Sequence, residues 1–380
     1  MKKKYIILSI ITLVLLITFV TSFNYFKTTN TYIDDSFNNQ TKITKGISMN
    51  LEQTAGAGDY KTVTRSSWPT EGYNFNAELS RCENGSTLSW DDTKKAVIVS
   101  GNLSDKCYVY FDLARFDETC DGSTLACRIA KQYTGTQGEN SLYYHDSTLT
   151  NGAGDNSYRY AGASNNVNNY ICLGSDATTC PDANLFRIIG VFGDQTKVIR
   201  AKSVGDKEWD TNDSNTWSTS SLNTYLNGEY LTSLGTLADK IATTTWKVGG
   251  GSTTYLYDVP KTAYQYEVGS SASTTTYDAK IGLMYVSDYG FAADQSGWTT
   301  KLSSYNSNKS KNWLNTGKYI EWTLSRNSDN TDNAFGVIST GYVDNYNVTK
   351  SYVVRPSFNL ESSVKYVSGS GSMSGPVRVN

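Results

Sequence analysis

The spacing of apolar and polar residues predicts β-strands in the first third of the chain. In ISMNLEQ, which starts at Ile47, apolar residues occupy every second position, as in a strand with one buried face. Similar short runs follow and end at Asn-Gly, Asp-Asp or Ser-Asp turn signals. We therefore predict a small all-β module, antiparallel in its pairing, over residues 46–114. Its expected core residues are Trp68, Trp90, Val97, Val99, Tyr108 and Tyr110.

After residue 183 the pattern predicts both strands and helices. The runs LFRIIGVF and TKVIRAKS, which are joined by a Gly-Asp turn, predict a β-hairpin. Leu222, Tyr225 and Leu226 recur at helical spacing behind serines that can cap a helix, and TLADKIATTTW predicts a second short helix. Strands are then predicted in AKIGLMYVSD, YIEWTLSR, AFGVIS, YVVRPSFNL and PVRV. The sequence thus predicts an α+β domain over residues 184–380.

The N-terminal apolar run predicts a membrane-spanning segment. Residues 5–23 carry no charge and follow three lysines, and about 20 apolar residues are needed for a helix to cross the hydrocarbon layer. We predict a transmembrane anchor over residues 1–25 and a polar stalk over residues 26–45. The lysines place the N-terminus in the cytoplasm and the bulk of the chain outside, as a single-pass protein of the cell membrane. The alternative is a cleaved secretory signal, which would make the protein secreted.

Composition and charge exclude some partners. The 380 residues carry a net charge of −2, and Lys and Arg are scattered, so nucleic acid is not an expected partner. Charged residues make up only 18% of the chain, whereas tyrosine alone occurs 28 times among many Asn, Ser and Thr residues. Such a surface favours hydrogen bonding and stacking. The alternative is that the small polar residues only occupy turns and strand edges.

The cysteine content predicts disulfides. Residues 115–183 are polar, rich in glycine and without a clear period, so we predict a loop-rich lead-in there, and it holds four of the six cysteines. An even number of cysteines in an exported chain indicates disulfides, and we favour the sequence-local pairs. The expected disulfide cysteines are Cys82, Cys107, Cys120, Cys127, Cys172 and Cys180.

Metal and cofactor binding are not expected. Zinc sites commonly use closely spaced cysteine pairs or added histidines, and the chain has a single histidine, His145. His145 is followed by Asp146, a neighbour pair that could serve acid-base chemistry. Since no nucleophile or second histidine accompanies the pair, we interpret His145 as an exposed loop residue.

The last sixty residues predict a scaffold that presents a recognition surface. Apolar positions such as Trp322, Leu324 and Phe335 have strand spacing, while the segments between them are nearly all Asn, Asp, Ser, Thr and Tyr. The predicted ligand-binding residues are Asn327, Asp329, Asn330, Asp332, Asn333, Asp344, Asn345, Tyr346 and Asn347. A calcium site in this tract is not expected, because about six to eight convergent oxygen ligands would be needed.

The order of the motifs carries a resemblance to a known family. LFRIIGVF, TWSTSSLNTYLNGEYL, AKIGLMYVSD, EWTLSR and YVVRPSFNL resemble an uncharacterised family of bacterial surface domains, over residues 184–360. Its members share a Trp-Ser-Ser-Leu…Trp-Leu-Asn helix and a Trp-x-Leu-Arg-Ser…Val-Arg-Pro-Ala ending. Their layout is similar to that of C-type-lectin-like domains, including the formylglycine-generating-enzyme branch. The residues that match are Trp217, Ser221, Leu222, Leu226, Asn227, Trp322, Leu324, Arg326, Val354, Arg355 and Pro356.

The resemblance implies a fold class for the whole chain and roles for several of its residues. The chain is expected to be α+β, with a C-type-lectin-like C-terminal domain preceded by the small all-β module and the transmembrane helix. Trp217 and Trp322 are expected in the core. Arg355 could bind an anionic ligand, or it could pair with a buried carboxylate such as Glu321, which we favour.

Departures from the related families limit what the resemblance implies. Formylglycine generation depends on C-terminal cysteines, and no cysteine follows Cys180. The Glu-Pro-Asn, Gln-Pro-Asp and Trp-Asn-Asp motifs of calcium-dependent lectins are absent from the sequence. Some lectin-like domains are variable targets of diversity-generating retroelements, which enrich Asn, Asp, Ser, Thr and Tyr. Here 16 of the 25 residues from Asn327 to Ser351 are of these types, although Asn-rich coding bias would give a similar composition.

These patterns together predict an exported, non-catalytic, adhesin-like binding protein. Its partners would be the membrane, through residues 5–23, and an extracellular protein or glycan. One alternative is a structural protein of the cell envelope without a specific ligand. A second alternative is a carboxylate-dependent enzyme acting on glycans, for which Glu229, Glu267 and Glu321 are the acidic residues to consider.

Overall fold

The computed structural model describes residues 46–64, 67–69, 71–102, 105–317 and 319–380. The predicted anchor (1–25) and stalk (26–45) lie outside these residues. No helix in the described ranges is long and apolar enough to cross a membrane. The predictions of a transmembrane helix and of a single-pass membrane localisation are therefore corrected, as the structure does not support them. An apolar run of sufficient length permits a membrane span but does not by itself establish one.

The chain forms two compact units, and the first ends at Arg115. In the described part of this unit β1 pairs with β2 antiparallel and with β6 parallel, while β6 pairs with β3 and β4 with β5, both antiparallel. The parallel pair departs from the antiparallel module expected here. The strands are β1 (Ser48–Glu52), β2 (Tyr60–Val63), β3 (Tyr73–Cys82), β4 (Thr87–Asp91), β5 (Ala96–Ser100) and β6 (Cys107–Leu113).

The core of the first unit uses the opposite face of β6 from the one predicted. Val109 and Phe111 are buried, whereas Tyr108 and Tyr110 are half-exposed on the other face. Both faces of this strand carry large apolar groups, so alternation identifies two faces without showing which is inside. Of the other predicted core residues, Val97 is buried and Trp90 packs edge-on against Phe111 at 5.5 Å between ring centroids.

The second unit begins at Phe116, and its described residues form two main sheets. We call one the large sheet, with the strand order β19-β11-β10-β9-β21-β20 and with β7 and β8 joined to it through β10. Its strands are β7 (Leu142–His145), β8 (Ser157–Tyr160), β9 (Tyr170–Cys172), β10 (Leu185–Phe192), β11 (Gln195–Arg200), β19 (Ser357–Leu360), β20 (Tyr366–Ser368) and β21 (Val377–Val379). Because β7, β8 and β9 come from residues 115–183, this segment is built into the sheet rather than leading up to it.

We call the other the small sheet, with the order β12-β18-β15-β16-β17. Its pairs are antiparallel except β15 with β18, which is parallel. The two strands β13 and β14 form a separate antiparallel ribbon. The strands are β12 (Asp206–Glu208), β13 (Thr244–Lys247), β14 (Thr276–Ala279), β15 (Ile320–Arg326), β16 (Asn333–Ile338), β17 (Val343–Asn347) and β18 (Ser351–Val353).

The helices of the described chain are short. The α-helices are Phe116–Thr119, Leu125–Ala130, Ser221–Tyr225, Leu231–Ser233, Thr253–Leu256, Pro260–Glu267 and Val286–Phe291, and a π-helical turn, Leu226–Tyr230, joins the third to the fourth. The 3₁₀ turns are Glu139–Ser141, Asp182–Asn184, Trp217–Thr219, Gly235–Lys240, Gln295–Gly297 and Leu302–Lys311. As predicted, a serine caps the helix at Ser221, since Ser220 Oγ accepts a hydrogen bond from Asn223 N.

The predicted fold class is wrong. Instead of an α+β chain with a lectin-like domain and a transmembrane helix, the described residues are sheet-rich, with 34% in strands and 21% in helices. One predicted strand also differs, because AKIGLMYVSD is extended only at its start and then enters the helix Val286–Phe291. Asp288 favours that helix, since its Oδ2 accepts the Tyr285 N–H at 2.9 Å.

The hairpin β10–β11 forms as predicted and lies at the centre of the large sheet. The pairing shifts by one residue between Ile188 and Gly190, which is a β-bulge. A Cβ atom at Gly190 would lie 2.2 Å from the carbonyl oxygen of Tyr158. Only glycine therefore allows β8 to approach β10 this closely.

All six cysteines form disulfides, as the sequence predicted. The pairs are Cys82–Cys107, Cys120–Cys127 and Cys172–Cys180, which are the sequence-local ones. Each of the last two closes a short loop within the second unit. Trp217 and Trp322 are both in the core of that unit, 1% and 0% exposed, which agrees with their expected role.

Candidate ligand-binding surface

The polar tract predicted to bind ligand forms the turn between β15 and β16 and the edge strand β17. Asn333 lies opposite Asn347 and Phe335 lies opposite Asn345 in the β16–β17 register. The two predicted segments, 327–333 and 344–347, therefore lie side by side at one edge of the small sheet.

Asn215 organises the turn. Its buried Nδ2 donates hydrogen bonds to the carbonyl oxygens of Asn327, Asn330 and Asn333 at 2.9, 2.7 and 2.8 Å. Its Oδ1 accepts a hydrogen bond from Arg326 Nη1 at 3.2 Å. A single side chain thus satisfies three carbonyl groups of an irregular loop, which fixes the shape of the turn.

The side chains of the turn are also used internally. Asn327 is 5% exposed and its Oδ1 accepts the Asp329 N–H at 3.0 Å. Asn330 Oδ1 accepts the Asp332 N–H at 2.7 Å. These are Asx turns, in which the amide stabilises its own loop. The exposed residue among the predicted ones here is Asp329.

The edge strand is held by a hydrogen-bonded chain through Tyr257. The Tyr257 hydroxyl donates to Asp344 Oδ1 at 2.5 Å and accepts from Asn345 Nδ2 at 2.6 Å, and Asn345 Oδ1 accepts from Asn333 Nδ2 at 2.7 Å. Partial burial, together with the hydrogen bond to Asp344, raises the pKa of Tyr257 to about 12. At the end of the strand Asn347 donates to Asp213 Oδ1 at 2.7 Å. The amide and carboxylate side chains of β17 therefore mostly form internal hydrogen bonds that hold the strand in place.

Tyr346 belongs to a row of aromatic side chains across the small sheet. Its ring centroid lies 5.3 Å from that of Tyr352 and 6.5 Å from that of Trp322, and Tyr352 lies 5.0 Å from Trp322. Trp322 is fully buried and forms the base, while both tyrosines are half-buried. Burial raises the pKa of both tyrosines.

The row continues onto β12 and the helix that starts at Ser221. Lys207 lies opposite Tyr352 in the β12–β18 register, and its Nζ sits 3.7 Å from the ring centroid of Tyr225. A shallow cavity of about 340 Å³ opens beside this pair and is lined in part by the hydroxyl-bearing Ser221 and Ser351. We call Lys207, Tyr225, Trp322, Tyr346 and Tyr352 the aromatic face.

Tyr319 borders the aromatic face. It is 78% exposed, an unusual degree for a tyrosine on the described surface, and it lies close enough to Tyr352 to help raise the pKa of that residue. The aromatic face and Tyr319 combine exposed ring surface, a cation and hydroxyl groups, which can stack on and hydrogen-bond to a ligand.

Two of the acidic residues considered for catalysis are buried, and each contacts a different set of partners. Glu321 pairs with Arg355, whose Nε donates to Oε1 at 2.7 Å, as the sequence favoured. Burial raises the pKa of the Glu321 carboxyl, although the Arg355 guanidinium opposes this effect. Glu267 accepts hydrogen bonds from the Val286 and Ser287 N–H groups and contacts the Ser325 hydroxyl. Glu229 is exposed on a helix.

A buried ionic cluster lies near Glu267. Asp288 binds Lys197 Nζ at 2.5 Å and Arg159 Nη1 at 3.5 Å, and Arg159 also binds Asp155 at 2.5 Å. Arg159, Lys197 and Asp288 are all 5% exposed or less. The guanidinium of Arg159 also lies 4.6 Å from the ring centroid of Phe192. These contacts neutralise the charges within the core.

His145 is not the exposed loop residue that we expected. It ends β7 with 0% exposure, and its ring packs against Phe291 and Trp298 at centroid distances of 4.9 and 5.0 Å. Its Nδ1 accepts the Ala153 N–H at 3.0 Å, and burial lowers the pKa to about 3, so the ring is neutral. Asp146 instead accepts the N–H groups of Thr148 and Leu149 in a turn. We expected His145 to be exposed because polar residues follow it in the sequence. Its strand, LYYH, is too short to show an alternation of apolar and polar positions.

The described residues include no group of three or more His, Cys, Asp or Glu side chains that could hold a metal ion. Sequence reasoning found Tyr346 but missed Lys207, Tyr225, Tyr319 and Tyr352 as members of the surface. The sequence feature that could have indicated these residues is the tyrosine content of their segments. Tyrosine content cannot show that β12 and β18, more than one hundred residues apart in the chain, lie side by side.

Comparison with known families gives one finding. Residues 193–362 match the model of a family described as Domain of unknown function (DUF6273). This range contains the small sheet with all five residues of the aromatic face. Neither a curated protein nor a solved structure matches the chain.

Proposed function

We propose that the protein is a non-catalytic binding protein whose ligand is a glycan held on the aromatic face. The observation that carries the proposal is the row of half-buried tyrosines beside a cation and a small hydroxyl-lined cavity. Tyrosines supply a large contact area at low cost in side-chain entropy, and their hydroxyl groups pair with polar ligands. The three disulfides are typical of an oxidising compartment, so the glycan would be one met outside the cytosol.

The contacts within the small sheet favour binding without large rearrangement. Trp322 fixes the base of the face, because its ring is fully buried and its Nε1 donates to the Lys207 carbonyl oxygen at 3.0 Å. The Tyr257 and Asn215 networks hold the neighbouring strand and turn. A rigid surface loses little conformational entropy when a ligand binds, which favours affinity.

Binding of the full chain to a glycan array tests the proposal. We expect specific glycans to bind, and we expect Tyr352→Ala and Tyr319→Ala each to weaken that binding by about tenfold through the loss of one stacking contact. Met373→Ala is the matched control, because Met373 is 67% exposed and lies outside the small sheet. Its affinity should equal that of the wild type.

Other results would contradict the proposal. Binding that survives both tyrosine substitutions would place the glycan elsewhere, and no specific glycan binding would favour a structural role. Binding of a protein but no glycan through the same tyrosines would contradict the ligand class. Hydrolysis of a bound glycan would contradict the non-catalytic assignment.

A further inference from the structure

A second pocket, on the large sheet, has the chemistry of an anion site. It has a volume of about 370 Å³, within the roughly 300–1,000 Å³ of small-molecule pockets. It lies between the helix Leu125–Ala130, the turn at Asn140 and the strands β20 and β21. Of its thirteen lining residues, all in the described ranges, two are cationic and none is Asp or Glu. Its electrostatic character is therefore positive.

Arg128 is the central group of this pocket. Its guanidinium carbon lies 5.2 Å from the ring centroid of Tyr366, which also lines the pocket. Within the described chain, no hydrogen bond or ion pair involves the Arg128 side chain. This differs from Arg159, Arg187 and Arg355, whose guanidinium groups all donate to protein acceptors. Arg128 thus keeps its planar set of donors for an acceptor from outside.

Amide groups supply further donors around Arg128. Gln132 Oε1 accepts from the buried Tyr160 hydroxyl at 3.0 Å, and this contact orients the amide so that its NH₂ group is left without an acceptor in the described residues. The Asn168 amide, on another wall, also makes no hydrogen bond within them. Lys131 adds a second positive charge, with its Nζ held 3.0 Å from the Asp117 carbonyl oxygen.

The position of Arg128 is fixed by its helix. Thr124 Oγ1 caps the helix by accepting the Cys127 N–H at 3.2 Å, and the Cys120–Cys127 disulfide ties the helix to the preceding loop. Leu125 and Ile129, on the two sides of Arg128 in the sequence, are buried and anchor the helix to the core. The donor group is therefore carried on a rigid element.

We propose that this pocket binds a carboxylated monosaccharide, with the carboxylate on Arg128 and the ring hydroxyls on Gln132 and Asn168. A guanidinium matches a carboxylate in a bidentate geometry, and amide groups match hydroxyls. The volume is suited to one sugar ring, and Leu125, Ile129, Ile188 and Val377 provide apolar surface beneath it. This site is separate from the aromatic face and does not depend on the function proposed for it.

Isothermal titration calorimetry on the full chain tests the site with glucuronate and with glucose as the matched neutral sugar. We expect glucuronate to bind and glucose to bind at least about tenfold more weakly. Arg128→Gln should lower the affinity for glucuronate about 10- to 100-fold, and Arg128→Lys should restore part of it. Binding should also weaken as salt is raised. Lys309→Gln is the control for charge, because Lys309 is exposed and does not line the pocket.

Competition experiments distinguish a site for a sugar carboxylate from a general anion site. Inorganic phosphate and sulfate should compete weakly, because neither has a sugar ring to contact the apolar residues of the pocket. If either competes as well as glucuronate, the pocket is a general anion site and the proposal is wrong. It is equally wrong if glucuronate does not bind at millimolar concentration, or if Arg128→Gln binds it like the wild type. Since Arg128 is exposed, unchanged circular dichroism and melting temperature are expected for its variants.

Discussion

Glu321 and Arg355 show how a buried charge depends on one partner. Both are nearly inaccessible, at 4% and 2% exposure. We expect Arg355→Leu to lower the free energy of unfolding by about 3–5 kcal/mol, because it leaves a carboxylate buried without its counter-ion. Urea unfolding at pH 7 measures this. Lys202→Leu is the control, because it breaks the exposed pair with Asp182 and should cost less than about 1 kcal/mol. Equal effects would contradict the argument.

Glu267 makes the stability depend on pH. Burial raises the pKa of Glu267 to about 7 from its usual 4.5, so between these values the folded state binds a proton that the unfolded state releases. The free energy of unfolding therefore falls as pH rises from 4.5 to 7, by about 3 kcal/mol from this group. We expect urea unfolding to show this loss in the wild type and not in Glu267→Gln. The difference between the two proteins cancels the other titrating groups. A difference that is constant from pH 5 to pH 7.5 would contradict the assignment.

At the scale of elements, the turn 327–333 depends on a side chain distant in sequence. Asn215→Ala removes three hydrogen bonds to carbonyl groups of the turn, and we expect a loss of about 3 kcal/mol in the free energy of unfolding. Hydrogen exchange should also speed up at the Asn327 and Val348 amides, which bond to carbonyl groups of this turn. Asp329→Ala, in the same turn but exposed, should change neither quantity. Unchanged exchange in Asn215→Ala would show that the turn holds its shape without the amide.

The local pattern of apolar and polar residues predicted many strands but fewer of the contacts between them. LFRIIGVF and TKVIRAKS were predicted as a hairpin because both partners and the turn lie within one short stretch. The prediction of which face of β6 is buried was wrong. Tyr108 and Phe111 lie on opposite faces of the strand, and both are apolar enough to be buried. The turn residues were identified as a ligand surface from their composition, but their amides mostly bond to the backbone. This internal hydrogen bonding depends on Asn215 and Tyr257. Nothing in the sequence connects these two residues to the turn.

At the scale of the whole molecule, residues 115–183 were predicted as a lead-in because they show no period. Their strands are only three or four residues long, too short for alternation to be visible. They gain their stability from neighbours, as β9 does between β10 and β21. The positive pocket around Arg128 could not be predicted for the same reason, because its walls come from residues 125–140, 160–188 and 366–377.

The second unit is expected to fold without the first. Among the described residues, the buried hydrophobic cluster of the first unit is formed by residues 47–111, and those of the second unit are formed by residues 116–379. Disulfides also stay within each unit, so no covalent bond other than the backbone is cut by starting at Phe116. A fragment of residues 116–380 should therefore unfold cooperatively in urea, at the midpoint of one transition of the full chain, and should keep two disulfides. A fragment of residues 46–115 is the matched comparison and should give the other transition. If the full chain unfolds in a single step at a midpoint that neither fragment reproduces, the units depend on each other for stability and the separation of their cores is not sufficient for independent folding.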